Sequence, residues 1–417
     1  MRRPRRLAFV GVVAPVLAIG WFMAAGARAA EEQAAAAAGK REFNIIPVAG
    51  GDSDIGTAVG QLSSLARLKP GPDLYNWRLE SGTFISFKLR EEGVVIPVHD
   101  YYLQLTLRDL GPGGRIRLDM RGSYTGRSTL KFYGIGNAAP EPPPTFSNYG
   151  KEYGRNYPEA WVRARIRLRA DFELQAGSVF WYDWLNVHPD SILAVDASSG
   201  PPDVRSIIGP LGAHGVQLFE LGVLYDSRDN EIVTRRGAFH TLTARLSPAL
   251  ADWMPYSYQQ VNASTRFYVT LEPRWLIVSW RLVGDLLLGQ PPFYELARFE
   301  EVSAIGGAKG VRGVPAERYY GKVKVFQNLE ARSEIARFHI KSKQYTLAAA
   351  AFFDAGRVWT ELGSAHPELD GTGLGIKYGV GGGLRLHQGE TFVVRGDVAW
   401  SPDARPIAGY FAAGQIF

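Results

Sequence analysis

No cysteine occurs in the 417 residues, which excludes both a disulfide framework and a thiolate metal site. Beyond the N-terminus, no apolar run approaches the ~20 residues that a membrane helix needs. Charge is sparse too, at 21% of residues. The signatures of common enzyme chemistry are missing: the chain has no Walker A motif, no G-x-S-x-G elbow and no H-E-x-x-H pair. The seven histidines are scattered without ligand spacing. These absences predict a protein that is not an enzyme and holds no cofactor or metal.

Two segments resemble small-molecule sites and read better as turns. Gly134-Ile-Gly136-Asn-Ala-Ala139 fits a loose dinucleotide fingerprint, but Pro140, Pro142, Pro143 and Pro144 stand where a helix should follow. Asp226-Ser-Arg-Asp229-Asn230 reads as a polar turn rather than a cation loop. What the chain does have is 47 glycines and 12% aromatic residues, a mix suited to strands and tight turns.

The N-terminus stands apart. Arg2, Arg3, Arg5 and Arg6 precede an almost wholly apolar stretch from Leu7 to Ala25, and Ala27-Arg28-Ala29 supplies small residues around a cleavage point. That layout predicts a secretory signal peptide over residues 1–30; a retained anchor is the alternative. A short periplasmic lead, 31–41, would follow, and then one β domain over 42–417. Without the five arginines of the leader the formal charge falls from +6 to +1. The basic pI therefore belongs to targeting and gives no reason to expect nucleic acid as a partner.

Alternation dominates the rest. In 260–272, Val261, Ala263, Thr265, Phe267, Val269 and Leu271 share one parity, and Asn262, Ser264, Arg266, Tyr268, Thr270 and Glu272 the other. Successive strand side chains point to opposite faces, so such a segment has one apolar face and one polar face. Arg163, Arg165, Arg167 and Arg169 alternate with apolar residues in the same way, as do Lys322, Lys324, Asn328, Glu330, Arg332 and Glu334, and Arg395 with Asp397. A soluble sandwich could show this pattern, but its strands commonly run five or six residues. Runs of ten or more fit a tilted membrane span, and aromatics near their ends fit interfacial girdles.

About sixteen spans can be counted, from 42–50 and 54–67 to 391–401 and 408–417, although Ala58 to Leu68 could also be helical. The expected fold is an all-β transmembrane antiparallel barrel. With a periplasmic N-terminus the long connections 126–156, 187–213, 290–318 and 358–371 all fall outside. Thr129 to Tyr153 and Asp190 to Ala213 are thus expected to be external, and Phe417 to close the last strand on the periplasmic side. The four arginines of 163–169 would form a solvated basic wall of the lumen.

Several motifs, in order, resemble the BamA/TamA-like insertase superfamily (the bacterial surface antigen barrels). Gly306-Gly307 followed by Val311-Arg312-Gly313 resembles the family's sixth external loop, with Val314 in place of the usual aromatic. Asn328-Leu329-Glu330, Phe353-Asp354-Ala355-Gly356, Phe132-Tyr-Gly-Ile-Gly-Asn137 and a terminal strand with Gly414 before Phe417 add to the likeness. The resemblance implies that the loop folds back into the lumen. Parity independently turns Glu330 and Asp354 inward on adjacent strands, so both could meet the Arg312 guanidinium, with Gly310 and Gly313 allowing a sharp backbone turn.

The family's periplasmic repeats have no counterpart here, since only about a dozen residues separate Glu31 from the first strand, against the ~50 or more of a domain. The resemblance implies assembly or translocation of outer-membrane proteins through a weak seam between the first and last strands, to which Pro47, Gly409 and Gly414 could contribute. Partners would be outer-membrane lipid and either unfolded outer-membrane clients or a separate periplasmic protein. A passive anion-preferring pore and an anchoring barrel for a partner are the competing readings.

Overall fold

The computed structural model describes residues 41–68, 75–91, 93–141, 148–230, 233–271, 276–299, 302–340, 343–363, 365–388, 392–413 and 415–416. The proposed leader and most of the lead lie outside these residues, as do Gly414 and Phe417.

Sixteen long strands form one antiparallel sheet closed on itself. They are β1 (Arg41–Asp52), β2 (Gly56–Leu68), β3 (Tyr75–Arg90), β4 (Val98–Leu110), β5 (Ile116–Lys131), β6 (Glu152–Arg167), β7 (Phe172–Val187) and β8 (His214–Asp226). The second half comprises β9 (Gly237–Ser247), β10 (Tyr258–Leu271), β11 (Leu276–Gly289), β12 (Val323–Ile340), β13 (Lys343–Trp359), β14 (Lys377–Gln388), β15 (Phe392–Ser401) and β16 (Ala404–Ala413). Each pairs with its sequence neighbour, and a three-residue strand, Gly93–Val95, extends β3 at one end. Closure brings β16 back against β1, as β structure that crosses hydrocarbon requires.

Side-chain parity decides which way each strand faces. On β10, Val261, Phe267, Val269 and Leu271 are exposed while Asn262, Ser264 and Tyr268 are buried. On β12, Val325 and Leu329 face out whereas Lys324, Asn328, Glu330 and Arg332 are buried inside. The barrel therefore has an apolar exterior and a polar interior, the reverse of a soluble core.

All the long connections gather at one end, and the turns at the other are short. Several boundaries differ from those expected. β5 continues to Lys131 and β6 begins at Glu152, because a bulge between Arg127 and Leu130 lets the ladder run on. The loop expected from Thr129 to Tyr153 is correspondingly shorter. β6 ends at Arg167, which places Arg169 in the following turn, exposed and off the inner wall. The last strand lies at 404–413 rather than 408–417, the first begins at Arg41, and 56–68 is strand.

The loop between β7 and β8 carries two helices that alternation does not foretell, α1 (Ile192–Ser199) and α2 (Pro202–Ile208). Ser191 caps α1 by accepting a bond from the Ala194 amide at 3.2 Å. Leu193, Val204, Ile207 and Ile208 pack into an apolar cluster with Tyr256, Phe293 and Tyr320 at the long-loop end.

Candidate functional site: a loop locked in the lumen beside the closing seam

The segment 290–322 between β11 and β12 does not stand out from the barrel. It starts with a tight turn over Phe293–Ala297, all of whose residues are buried. Its tip is a compact turn in which the Gly307 amide donates to the Val314 carbonyl at 2.9 Å. Positive φ at Gly306, Gly307 and Gly313 makes this turn possible. Gly310, expected to share that role, does not have positive φ; its carbonyl accepts from Asn328 Nδ2 at 2.7 Å. Val311 and Val314 pack under the turn with Ile305, Phe326 and Val358.

At the apex Arg312 is fully buried against the wall. Its Nε donates to Asp354 Oδ2 at 2.7 Å and its Nη2 to Asp354 Oδ1 at 3.1 Å, a bidentate pair. The Arg312 amide also donates to Asp354 Oδ2 at 3.1 Å. Nη1 reaches Glu330 Oε2 at 3.0 Å and Asp397 Oδ2 at 3.3 Å. The guanidinium lies over the Phe352 ring, 3.3 Å from its centroid. Burial alone would lower its pKa, but Asp354, Glu330 and Asp397 outweigh that and hold it above the ordinary arginine value.

The structure thus brings Arg312, Glu330 and Asp354 together, and adds a third acid from β15. Asp397 also accepts from Arg385 Nη1 at 2.5 Å and from Arg395 Nη1 at 2.8 Å. Arg385 Nη2 donates to Glu330 Oε2 at 2.9 Å, and Arg395 Nη2 ties the loop again through the Ala308 carbonyl at 2.9 Å. Parity puts Arg395 and Asp397 on one face. Their approach to the loop depends on register across β14, which alternation does not encode.

The basic wall is different from the expected one. Arg163 donates to Glu220 at 2.6 and 3.3 Å, and Glu220 also receives Arg245 at 3.1 Å and Gln175 at 3.0 Å. Arg167 sits 3.8 Å from Glu173. Protein carboxylates, rather than solvent counter-ions, balance Arg163. Arg165 remains on the wall, half-buried.

The loop touches the seam as well. The Gly313 amide donates to the Tyr410 hydroxyl at 2.9 Å, and Tyr410 is on β16. Among the described residues β1 and β16 meet in two register pairs, Gly51 with Phe411 and Asp52 with Tyr410, whereas β1 and β2 share twelve. Next to these pairs, the Ser53 amide donates to the Gly409 carbonyl at 3.1 Å. Pro47, which has no N–H, lies in the part of β1 that pairs with β2 alone among the described residues.

Residues 216–417 match the Omp85 superfamily domain. The Omp85 match thus covers the half of the barrel from β8 to β16. Arg312, Glu330, Asp354, Asp397 and Tyr410 all lie within the matched part. Its fold is similar to BamA from Haemophilus ducreyi lacking POTRA domains 1–3, with a TM-score of 0.59 and 12% identity over 90% of this chain and 70% of that one. CdiB from Escherichia coli gives 0.55 and 13% over 89% and 63%, and CdiB from Acinetobacter baumannii 0.50 and 14% over 90% and 59%. This chain therefore spans about three fifths of each CdiB chain that it matches. No curated protein matches the sequence.

Proposed function

We propose that this Omp85 barrel is an outer-membrane assembly or translocation factor of BamA/TamA type, delivered by a leader over residues 1–30 that is then removed. The observation that carries the reading is the bond from Gly313 in the locked loop to Tyr410 at a seam with two register pairs among the described residues. A ladder so short is a weak point in an otherwise continuous sheet, and a client strand can add to an edge that opens there. Release of the loop from Tyr410 would remove one of the contacts that hold β16 in place. Outer-membrane lipid surrounds the apolar face in this reading, and unfolded outer-membrane proteins, or a periplasmic partner that delivers them, are what the seam receives.

The test is reconstitution of the purified chain in liposomes, with conductance and acceleration of unfolded-barrel insertion measured together. Faster insertion supports the proposal. Steady anion-selective current with no effect on insertion would replace it with a passive pore, and absence of both activities with an anchoring barrel.

A further inference from the structure

The lock at Arg312 holds only the loop's tip. At the loop's root Tyr294 is fully buried and meets the other side of the barrel. Its hydroxyl donates to Asp183 Oδ2. It also accepts from the indole N–H of Trp181 at 3.1 Å and lies 2.9 Å from His214 Nε2. Arg155 completes the arrangement, donating to Asp183 from Nε at 2.5 Å and from Nη2 at 3.1 Å. The same guanidinium stacks between two rings, 3.6 Å from the Tyr294 centroid and 4.1 Å from that of Tyr157.

Every one of these wall partners belongs to β6, β7 or β8, and every ion-pair partner of Arg312 to β12, β13 or β15. The two anchors share no residue. Asp183 on β7 and Asp397 on β15 stand eight strands apart in a ring of sixteen, so the loop is fastened to opposite walls.

We propose that Tyr294 is a second positioning residue, an anchor independent of Arg312, and that the loop leaves the lumen in two separable steps. The physical case is additivity: groups with no shared partner on distant elements do not couple strongly. Loss of the tip lock then leaves the root clamped to Asp183 and Arg155. Loss of the root clamp leaves Arg312 seated. The proposal rests on the reading above only in taking the loop to be displaced during work.

Two buried positions report the two ends: Ala297 at the root and Val311 beside Arg312 at the tip, both fully buried. Ala297→Cys and Val311→Cys are introduced singly into the cysteine-free full chain, and maleimide labelling rates are followed in detergent-solubilised folded barrel. Tyr294→Phe keeps the ring and removes only the hydroxyl. It should raise labelling at 297 by about tenfold or more, as for loss of a hydrogen bond to a charged acceptor, while position 311 changes by less than about twofold. Arg312→Ala should do the converse. Heat-modifiable mobility on gels checks that each variant is a folded barrel, and Asp183→Asn serves as a second root variant. If either substitution exposes both positions equally, the loop is held by one cooperative lock and the proposal fails. It fails equally if neither Tyr294→Phe nor Asp183→Asn affects position 297. Labelling does not depend on insertion activity, so an inactive barrel would overturn the functional reading without touching this one.

Discussion

The carbonyl oxygen of Arg312 passes through the space that a side chain on Gly379 would fill: a Cβ there would stand 1.8 Å from it. β14 is thus part of the lock through its backbone as well as through Arg385. Gly379→Ala should push the tip off the wall with every salt-bridging residue intact, because the obstacle is backbone and cannot swing away. The expected outcome is a loosened tip, seen as faster labelling of a cysteine at position 311 and as larger conductance in planar bilayers. Gly409→Ala is the control, since no atom lies within 4 Å of a Cβ at that position. Equal behaviour of the two variants would show that the close approach does not matter.

The Arg312–Asp354 pair gives a sharper energetic test. Without Arg312, Asp354 is a buried carboxylate that loses its bidentate guanidinium partner. Without Asp354, the arginines 312, 332, 385 and 395 face only Glu330 and Asp397 among their ion-pair partners in the described residues. Breaking one side of such a pair costs on the order of 3–5 kcal/mol. Arg312→Ala and Asp354→Ala should therefore be similarly defective in loop protection, and the double variant scarcely worse than either. A double-mutant cycle measured by hydrogen exchange at the tip would read this, and full additivity would contradict it.

The lock is partly legible in the sequence for a physical reason. Period-two alternation says which side chains face the lumen, so alternation alone turns Glu330 and Asp354 inward. It does not say how strands are staggered. Asp397 reaches Arg312 from β15, two strands beyond Asp354, because Gly379, Gly381 and Gly383 leave that part of the inner face of β14 without side chains between them. The strand count holds for the same reason that the boundaries slip: bulges such as that between Arg127 and Leu130 preserve a ladder while shifting its ends. The helices α1 and α2 escape such a reading because the apolar residues of Ile192–Ser199 follow no helical periodicity, and their burial comes from Tyr256 and Phe293, distant in sequence.

If the seam opens during work, a covalent bridge across it should stop work without unfolding the barrel. Asp52 and Tyr410 are cross-strand partners in the two-pair ladder, and the absence of native cysteine makes Asp52→Cys with Tyr410→Cys unambiguous. The oxidised double variant should lose acceleration of client insertion, and reductant should restore it. Tyr410→Phe separates the effect of the lost hydroxyl bond to Gly313 from that of the bridge. Undiminished activity in the fully oxidised protein would mean that clients do not pass through this seam.

Orientation in the membrane can be tested at two exposed positions. An even number of strands leaves both ends of the barrel's strand sequence on the same side, the side of the short turns. The proposed leader and translocation would make that side periplasmic and put α1 outside the cell. Ser199, exposed at the end of α1, and Arg169, exposed in the turn after β6, lie at opposite ends of the barrel. On intact cells an impermeant maleimide should label Ser199→Cys and leave Arg169→Cys unmodified until the outer membrane is permeabilised. Both positions are accessible in the folded chain, so a negative result at one cannot be blamed on burial. Labelling of Arg169→Cys alone on intact cells would invert the barrel, place the locked loop on the periplasmic side, and remove the route by which clients are proposed to reach the seam.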